Sequence, residues 1–320
     1  CGLGPKHLHI SSAVGLAELA LSGCTTSTDH QYLFPGGARL DDSIEAASDI
    51  GIRFHPTRGS MSIGQSKGGL PPDALTENEA DILKDCERVI SQFHDDSPSA
   101  MVKIALAPCS PFSVSNDLMI QTAVLARENH LCMHTHLAEN SEDIKYSLEK
   151  FNMRPGEYAQ SLGWLGDDVW HAHCVQLDSA EVELFGKTNT GIAHCPSSNM
   201  RLASGIAPLL EMLDHNVRVG LGVDGSSSND SSHMLNEARQ AMLLQRVVHG
   251  ASAIGARDVL RTATRGGAEV LRRGNIGQIA PGFMADLAIY DTHSIDLAGT
   301  HSDPLAALVF CGPIKTTHTI

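Results

Sequence analysis

Short apolar runs alternate along this chain with segments whose apolar residues recur at helical spacing. Period-2 or continuous apolar runs predict strands at residues 24–30 (CTTSTDH), 50–59 (IGIRFHPTRG), 101–110 (MVKIALAPCS) and 131–139 (LCMHTHLAE). Three more are predicted at 168–177 (DVWHAHCVQL), 190–199 (TGIAHCPSSN) and 218–225 (RVGLGVDG). Helical spacing appears at 82–93, 118–126 and 209–213, and longer helices at 229–248 and 256–272. Thr76 with Glu79 is the expected capping box of the first of these helices, and Ser115 the expected cap of the second.

Strand–helix alternation predicts parallel strands joined by crossover helices. Seven such units are one short of a (β/α)8 TIM-type barrel, with a doubly wound sheet as the competing architecture. The barrel is favoured because polar residues recur at the C-terminal end of nearly every strand, where barrel active sites are built. On this reading the barrel occupies 1–273, and its first strand lies upstream of Cys1. Gly and Pro turns around short apolar runs then predict a small β domain over 274–320. The chain opens on Cys1 and stops at Thr316–Ile320 within a strand-like run, so a fragment of a longer protein is expected.

Composition narrows the function. The 42% hydrophobic and 19% charged content is that of a globular protein, and the net charge of −14 argues against a phosphate-coating nucleic-acid binder. No apolar run reaches transmembrane length, and no signal-peptide pattern opens the chain. Eight cysteines without a CxxC pair read as free, mostly buried thiols, from which a cytoplasmic location is expected. The apolar content of helix 229–248 makes it the plausible contact of a homo-oligomer.

The chemistry lies in the histidines. His134 and His136 alternate with Thr135, so both side chains point to one face of their strand, and Glu139 falls just past its end. An isolated HxH is more often a pair of core histidines, but His171 and His173 repeat the pattern on the next strand. His194 ends the following strand, and Asp224 the last. Imidazoles and carboxylates at successive strand ends suit metal-assisted hydrolysis, one group to bind and another to move protons. His194 is the member most easily read as structural. His7-Leu8-His9 is a further HxH, read as a surface pair leading into a helix around 14–21. Nucleophile-elbow, P-loop and dinucleotide motifs are absent, and Cys109 has no dedicated base.

HTHLAE (134–139), HAHC (171–174), HCPSSN (194–199), GLGVDGSSSND (220–230) and GxIxPGxxADLAIYD (277–291) together resemble the amidohydrolase superfamily, in its heterocycle-deaminating aminohydrolase branch. The resemblance runs from about residue 24 to the end. It implies a (β/α)8 barrel with a small β-sandwich built from both chain ends, and one divalent metal, Zn²⁺ or else Fe²⁺. It further implies His136 and Asp224 as metal ligands, Glu139 as proton shuttle and His173 as the group that contacts the hydrolytic water or substrate. Asp224 would also take the water's proton. The family's other ligands, an HxH on the first strand, are not in this chain, so about half of the metal site is expected here.

Residues 107–112 (APCSPF), 58–62 (RGSMS) and 69–73 (GLPPD) look most like 8-oxoguanine deaminases, which implies hydrolysis of a free purine base to urate and ammonia. Arg58, Gln65, Cys109 and His194 are the candidate substrate contacts. Alternatives are an s-triazine, guanine or other heterocycle aminohydrolase, and a non-catalytic scaffold of the same fold.

Overall fold

The computed structural model describes residues 2–320. The chain divides into two compact units. The first holds the chain up to Leu16, Thr26–Leu137 and Glu142–Ala172; the second holds Ala17–Thr25, Ala138–Ser141 and His173–Ile320.

In the first unit the strands are β1 (Thr26–Gln31), β2 (Arg53–Ser60), β3 (Ala105–Pro108), β4 (Cys132–Leu137) and β5 (Val169–His173, its last residue counted with the second unit). They follow one another in chain order. β1–β2, β2–β3 and β3–β4 are parallel, with Thr26 opposite Arg53, Thr57 opposite Ala105 and Ala105 opposite Cys132. Helices Leu40–Ile50, Glu79–Phe93 and Asn116–Glu128 fill the first three connections, and Ser141–Phe151 with Pro155–Ser161 the fourth. Every residue of β2 is buried, as a strand covered on both faces must be. The second unit carries the parallel pair β6 (Gly191–His194) and β7 (Arg218–Leu221). Parallel strands in chain order with a helix in each connection are the ordering of a TIM-type barrel.

Each predicted strand is present but shorter: β3 to β7 end sooner than expected because the polar residues at their C-terminal ends leave the ladder, whereas β1 and β2 start two and three residues later than expected and run one residue further. The run expected at 190–199 ends at His194: Pro196 takes the first position of helix Pro196–Arg201, where its missing N–H costs nothing. Ser115 caps as expected, accepting from the Leu118 N–H at 3.0 Å. The other predicted cap is corrected. Helix Glu79–Phe93 is capped by Asn78, which accepts from the Ala80 N–H, while the Thr76 hydroxyl donates to the Asp73 carbonyl and closes a 3-10 turn. His7 and His9 do not lead into a helix; they lie inside one, Pro5–Leu21. The helix expected from residue 229 starts at Met234.

The long helix expected over 256–272 is broken by one wider π-turn, Thr262–Gly266, between Ala256–Arg261 and Gly267–Val270. The turn brings backbone against β7. A Cβ on Gly266 would collide with the Val219 carbonyl oxygen, and one on Gly220 would lie 3.0 Å from the Gly267 Cα. Beyond residue 274, a two-residue antiparallel pair, β8 (Ala288–Ile289) with β9 (His318–Thr319), accompanies a small core of Leu297, Ala307 and Ile314. No helix among the described residues is long and apolar enough to cross a membrane.

The described cysteines are all free; Cys86, Cys132, Cys174 and Cys195 are buried as expected. Cys311, however, is exposed, Cys24 and Cys109 are half-buried, and Cys1 lies outside the described residues. Gly266→Ala should lower stability by about 1–3 kcal/mol, since the Val219 backbone must shift. Gly274→Ala, whose Cβ meets open space, should not. The two denaturant midpoints compare them directly.

Candidate active site

His136 and Cys109 meet in the first unit. The backbone of Cys109 is tied on both sides: its N–H donates to the Ser60 carbonyl at 2.9 Å, and its carbonyl accepts from the His136 N–H at 3.1 Å. The same carbonyl lies 2.6 Å from His136 Nδ1. A carbonyl only accepts, so Nδ1 carries the proton and Nε2 keeps its lone pair. This is how a metal-binding imidazole is oriented by its second nitrogen. His134 is held likewise, through Nδ1 to the Trp170 carbonyl at 3.1 Å, and it stacks on the Trp170 ring. His30, which sequence inspection passed over, stacks on His136 with ring centres 4.6 Å apart. His171 is tied through Nε2 to the Trp164 carbonyl, and burial pushes its pKa down to about 4; it is a core histidine.

Arg58 is only 3% exposed, and its donors are committed. It donates to both Glu77 oxygens at 2.8 and 3.0 Å, to Asp85 at 2.8 Å and to the Gly59 carbonyl, and it covers the Phe34 ring. Gln65 is exposed in a 3-10 turn, Gln65–Lys67. The structure thus turns Arg58 toward carboxylates and leaves Gln65 at the surface.

Glu139, His173 and Asp224 meet in the second unit. His173 Nε2 lies 4.0 Å from a Glu139 oxygen and 3.9 Å from a Asp224 oxygen. The His173 side chain is 2% exposed, whereas Glu139 and Asp224 are 20% and 25% exposed. Backbone geometry aims them. Ala138, His173, Cys174 and Asp224 have φ of 49°, 69°, 52° and 61°, a region that residues other than glycine enter only when surroundings hold them there.

The Ala138 carbonyl accepts from the Gln176 N–H, and the Ser204 hydroxyl reaches Glu139 at 3.5 Å. Asp224 accepts from the Ser198 hydroxyl at 2.6 Å, the Ser228 hydroxyl at 3.2 Å and the Gly225 N–H at 2.7 Å. His173 Nδ1 pairs with Asn199 Oδ1 at 3.0 Å. Burial lowers the His173 pKa against the pull of Asp224 and Asn199, so the imidazole favours its neutral form. His194 is 1% exposed, and burial, aided by His173, pushes its pKa down to about 4.

An imidazole with its Nε2 lone pair kept and a carboxylate fixed by three hydrogen bonds are donors that suit Zn²⁺. Among the described residues, no group of three or more His, Cys, Asp or Glu gathers closely enough to hold a metal ion by itself. Ser198, Asn199 and Glu237 were not picked out from the sequence. The available signal for Glu237 was a lone acid beside the apolar positions Leu235, Ala238, Ala241 and Met242 of one helix.

Residues 5–319 match the amidohydrolase family model. The chain belongs to the amidohydrolase family.

This amidohydrolase is 47% identical over 311 residues to an 8-oxoguanine deaminase of Pseudomonas aeruginosa, covering 97% of the chain and 69% of that protein. It is 37% identical to a hydroxydechloroatrazine ethylaminohydrolase of Pseudomonas sp. strain ADP, covering 97% of the chain and 66% of that protein. The crystal structure of an atrazine chlorohydrolase from Arthrobacter aurescens TC1, complexed with zinc, superposes with a TM-score of 0.95 at 34% identity. That match covers 99% of the chain and 71% of the neighbour. The amidohydrolase is a hydrolase of C–N bonds.

Removing the Arg58 guanidinium should cost stability first. Arg58→Met leaves Glu77 and Asp85 facing an uncharged side chain, a loss of about 2–4 kcal/mol with both carboxylates partly hydrated. Burial tends to raise the Asp85 pKa, but Arg88 and Arg58 hold it below the usual carboxylate range. The gap between wild type and variant should therefore be full above about pH 4 and shrink as pH falls below it. Urea unfolding at pH 7 and at pH 3 measures both.

Proposed function

We propose that this amidohydrolase removes an exocyclic amine from a free purine-type base by hydrolysis, with 8-oxoguanine as substrate and urate and ammonia as products. The observation that carries the reaction class is a buried neutral imidazole, His173, whose Nε2 lies about equally far from two part-exposed carboxylates, Glu139 and Asp224. The choice of 8-oxoguanine is supported by the 47% identity to a protein of that name. A hydroxy-s-triazine is the second reading, supported by the ethylaminohydrolase relative. Retention of the Glu139–His173–Asp224 geometry weighs against a non-catalytic scaffold.

The site is assigned as His136 and Asp224 for the metal, with the family's first-strand HxH completing the ligand set. Zn²⁺ is the assigned metal, supported by the zinc in the chlorohydrolase structure. When bound, the metal makes water acidic enough to act as a nucleophile near neutral pH.

This chain's residues do the rest. Asp224 takes the proton of the attacking water, and His173 Nε2 holds the water's oxygen in line. Glu139 donates a proton to the ring nitrogen beside the attacked carbon, so no full negative charge builds up there. A C–O bond forms; the proton held by Asp224 passes to the amine as the C–N bond breaks and ammonia leaves, and the proton of the added hydroxyl returns to Glu139 as the carbonyl forms. Cys109, just after β3, and His194, at the end of β6, with Arg58 on β2 and Gln65 beyond it, are assigned to the substrate's polar edge; Arg58 acts there by positioning, since its guanidinium is committed to Glu77 and Asp85.

Residues 1–273 are assigned to the barrel and 274–320 to part of a β-sandwich, a reading supported by the β8–β9 pair. Free thiols at all seven described cysteines support a cytoplasmic location. Exposed Val247 and Val248 support self-association through helix Met234–His249.

Ammonia release should be well above background with 8-oxoguanine and lower with guanine and a hydroxy-s-triazine. Release from the triazine alone would move the assignment to the second reading. Glu139→Gln should lower kcat by at least about 10²-fold while zinc content stays at the wild-type level. Near-normal turnover would remove Glu139 from the mechanism.

A further inference from the structure

We propose that Ser198, Asn199 and Glu237 form a single positioning device that fixes Asp224 and His173 relative to each other. The proposal rests on the assignment of those two residues to the reaction centre.

Ser198 and Asn199 are neighbours on helix Pro196–Arg201, and each holds one of the two groups. The Ser198 hydroxyl donates to Asp224 Oδ2 at 2.6 Å, and Asn199 Oδ1 pairs with His173 Nδ1 at 3.0 Å. Both residues are buried, at 0% and 1% exposure. One rigid turn therefore sets a carboxylate and an imidazole together. The Asn199 bond also keeps the proton on Nδ1, which leaves the Nε2 lone pair facing the Glu139 and Asp224 side.

Glu237 underlies both holds without touching either group. It is 0% exposed on helix Met234–His249. One oxygen accepts from the Ser197 N–H at 3.1 Å, at the start of the helix that carries Ser198 and Asn199. The other accepts from Asn229 Nδ2 at 2.9 Å. Asn229 Nδ2 also donates to the Val223 carbonyl at 2.8 Å, and the Asn229 N–H to the Gly225 carbonyl at 3.0 Å, so Asn229 closes the loop that presents Asp224. A buried carboxylate is poor evidence of stabilisation, because a well-packed apolar side chain is usually at least as stable there. Its two bonds instead join the two segments that hold the reacting groups. Glutamine cannot reproduce them: both partners are donors, and an amide offers one acceptor and one donor.

Three variants test the device through zinc affinity, measured by competition titration, and through the split between kcat and KM for 8-oxoguanine. Ser198→Ala should weaken zinc binding by about 10–100-fold, as loss of a ligand's outer partner does. Asn199→Ala should leave zinc affinity within about twofold and lower kcat by about 10–100-fold at unchanged KM, because His173 is not a ligand. Glu237→Gln should weaken zinc binding, and combining it with Ser198→Ala should add little, since one acts through the other.

The proposal is overturned if Ser198→Ala and Glu237→Gln bind zinc like the wild type. It is equally overturned if their effects add in full, or if Glu237→Gln lowers only the melting temperature. Zinc affinities that follow the expected pattern in a protein inactive on every heterocycle would support the device and refute the substrate assignment instead.

Discussion

At three strand ends of this amidohydrolase the backbone turns left-handed at a residue that is not glycine: Ala138 after β4, His173 at the end of β5, and Asp224 shortly after β7. Each such turn costs on the order of 1 kcal/mol and persists only where the surroundings over-determine it. Here they do, through the Gln176 N–H on the Ala138 carbonyl, Asn199 on the His173 ring and three donors on the Asp224 carboxylate. The turn takes the chain out of the alternating pattern of the strand. Glu139, His173 and Asp224 come together just past these turns.

This arrangement explains which parts of the molecule were legible in the sequence. Strand positions follow from runs of apolar residues, and all seven appear where the pattern places them. Five of them, β3 to β7, end sooner than the pattern predicts, because the polar residues there are still apolar-flanked while their backbones have already left the ladder. The spacing of His134-Thr135-His136 showed that the two imidazoles share a face. It could not show that each is fixed through Nδ1 by a backbone carbonyl, since a carbonyl leaves no mark in the side-chain alphabet. Long-range partners were equally invisible. Glu237 is 40 residues from Ser197 along the chain, and nothing local distinguishes a buried acid from an exposed one on a mixed helix. Thr76 and Glu79 match the capping-box spacing, yet the 3-10 turn at Asp73–Leu75 uses Thr76 first and Asn78 caps the helix. The π-turn at Thr262–Gly266 is a packing result, forced by Gly266 lying against Val219, and helical periodicity alone reads straight through it.

The two units show different ways of fixing a polar side chain. In the first, imidazoles are bonded to main-chain carbonyls and stacked on rings, as His134 is on Trp170 and His136 on His30. In the second, the groups are held by other side chains on helix Pro196–Arg201 and on the loop after β7. Main-chain holds are insensitive to substitution at the holding residue; side-chain holds are not.

That difference bears on how the site can diversify. The atom that fixes the tautomer of His136 belongs to the peptide of residue 109, not to its thiol. Any side chain compatible with the turn can stand at that position while the carbonyl stays in place and the imidazole keeps its tautomer. The side chain at position 109 and the imidazole that its carbonyl orients are mechanically uncoupled. Position 109 can therefore be rewritten without disturbing the orientation of His136.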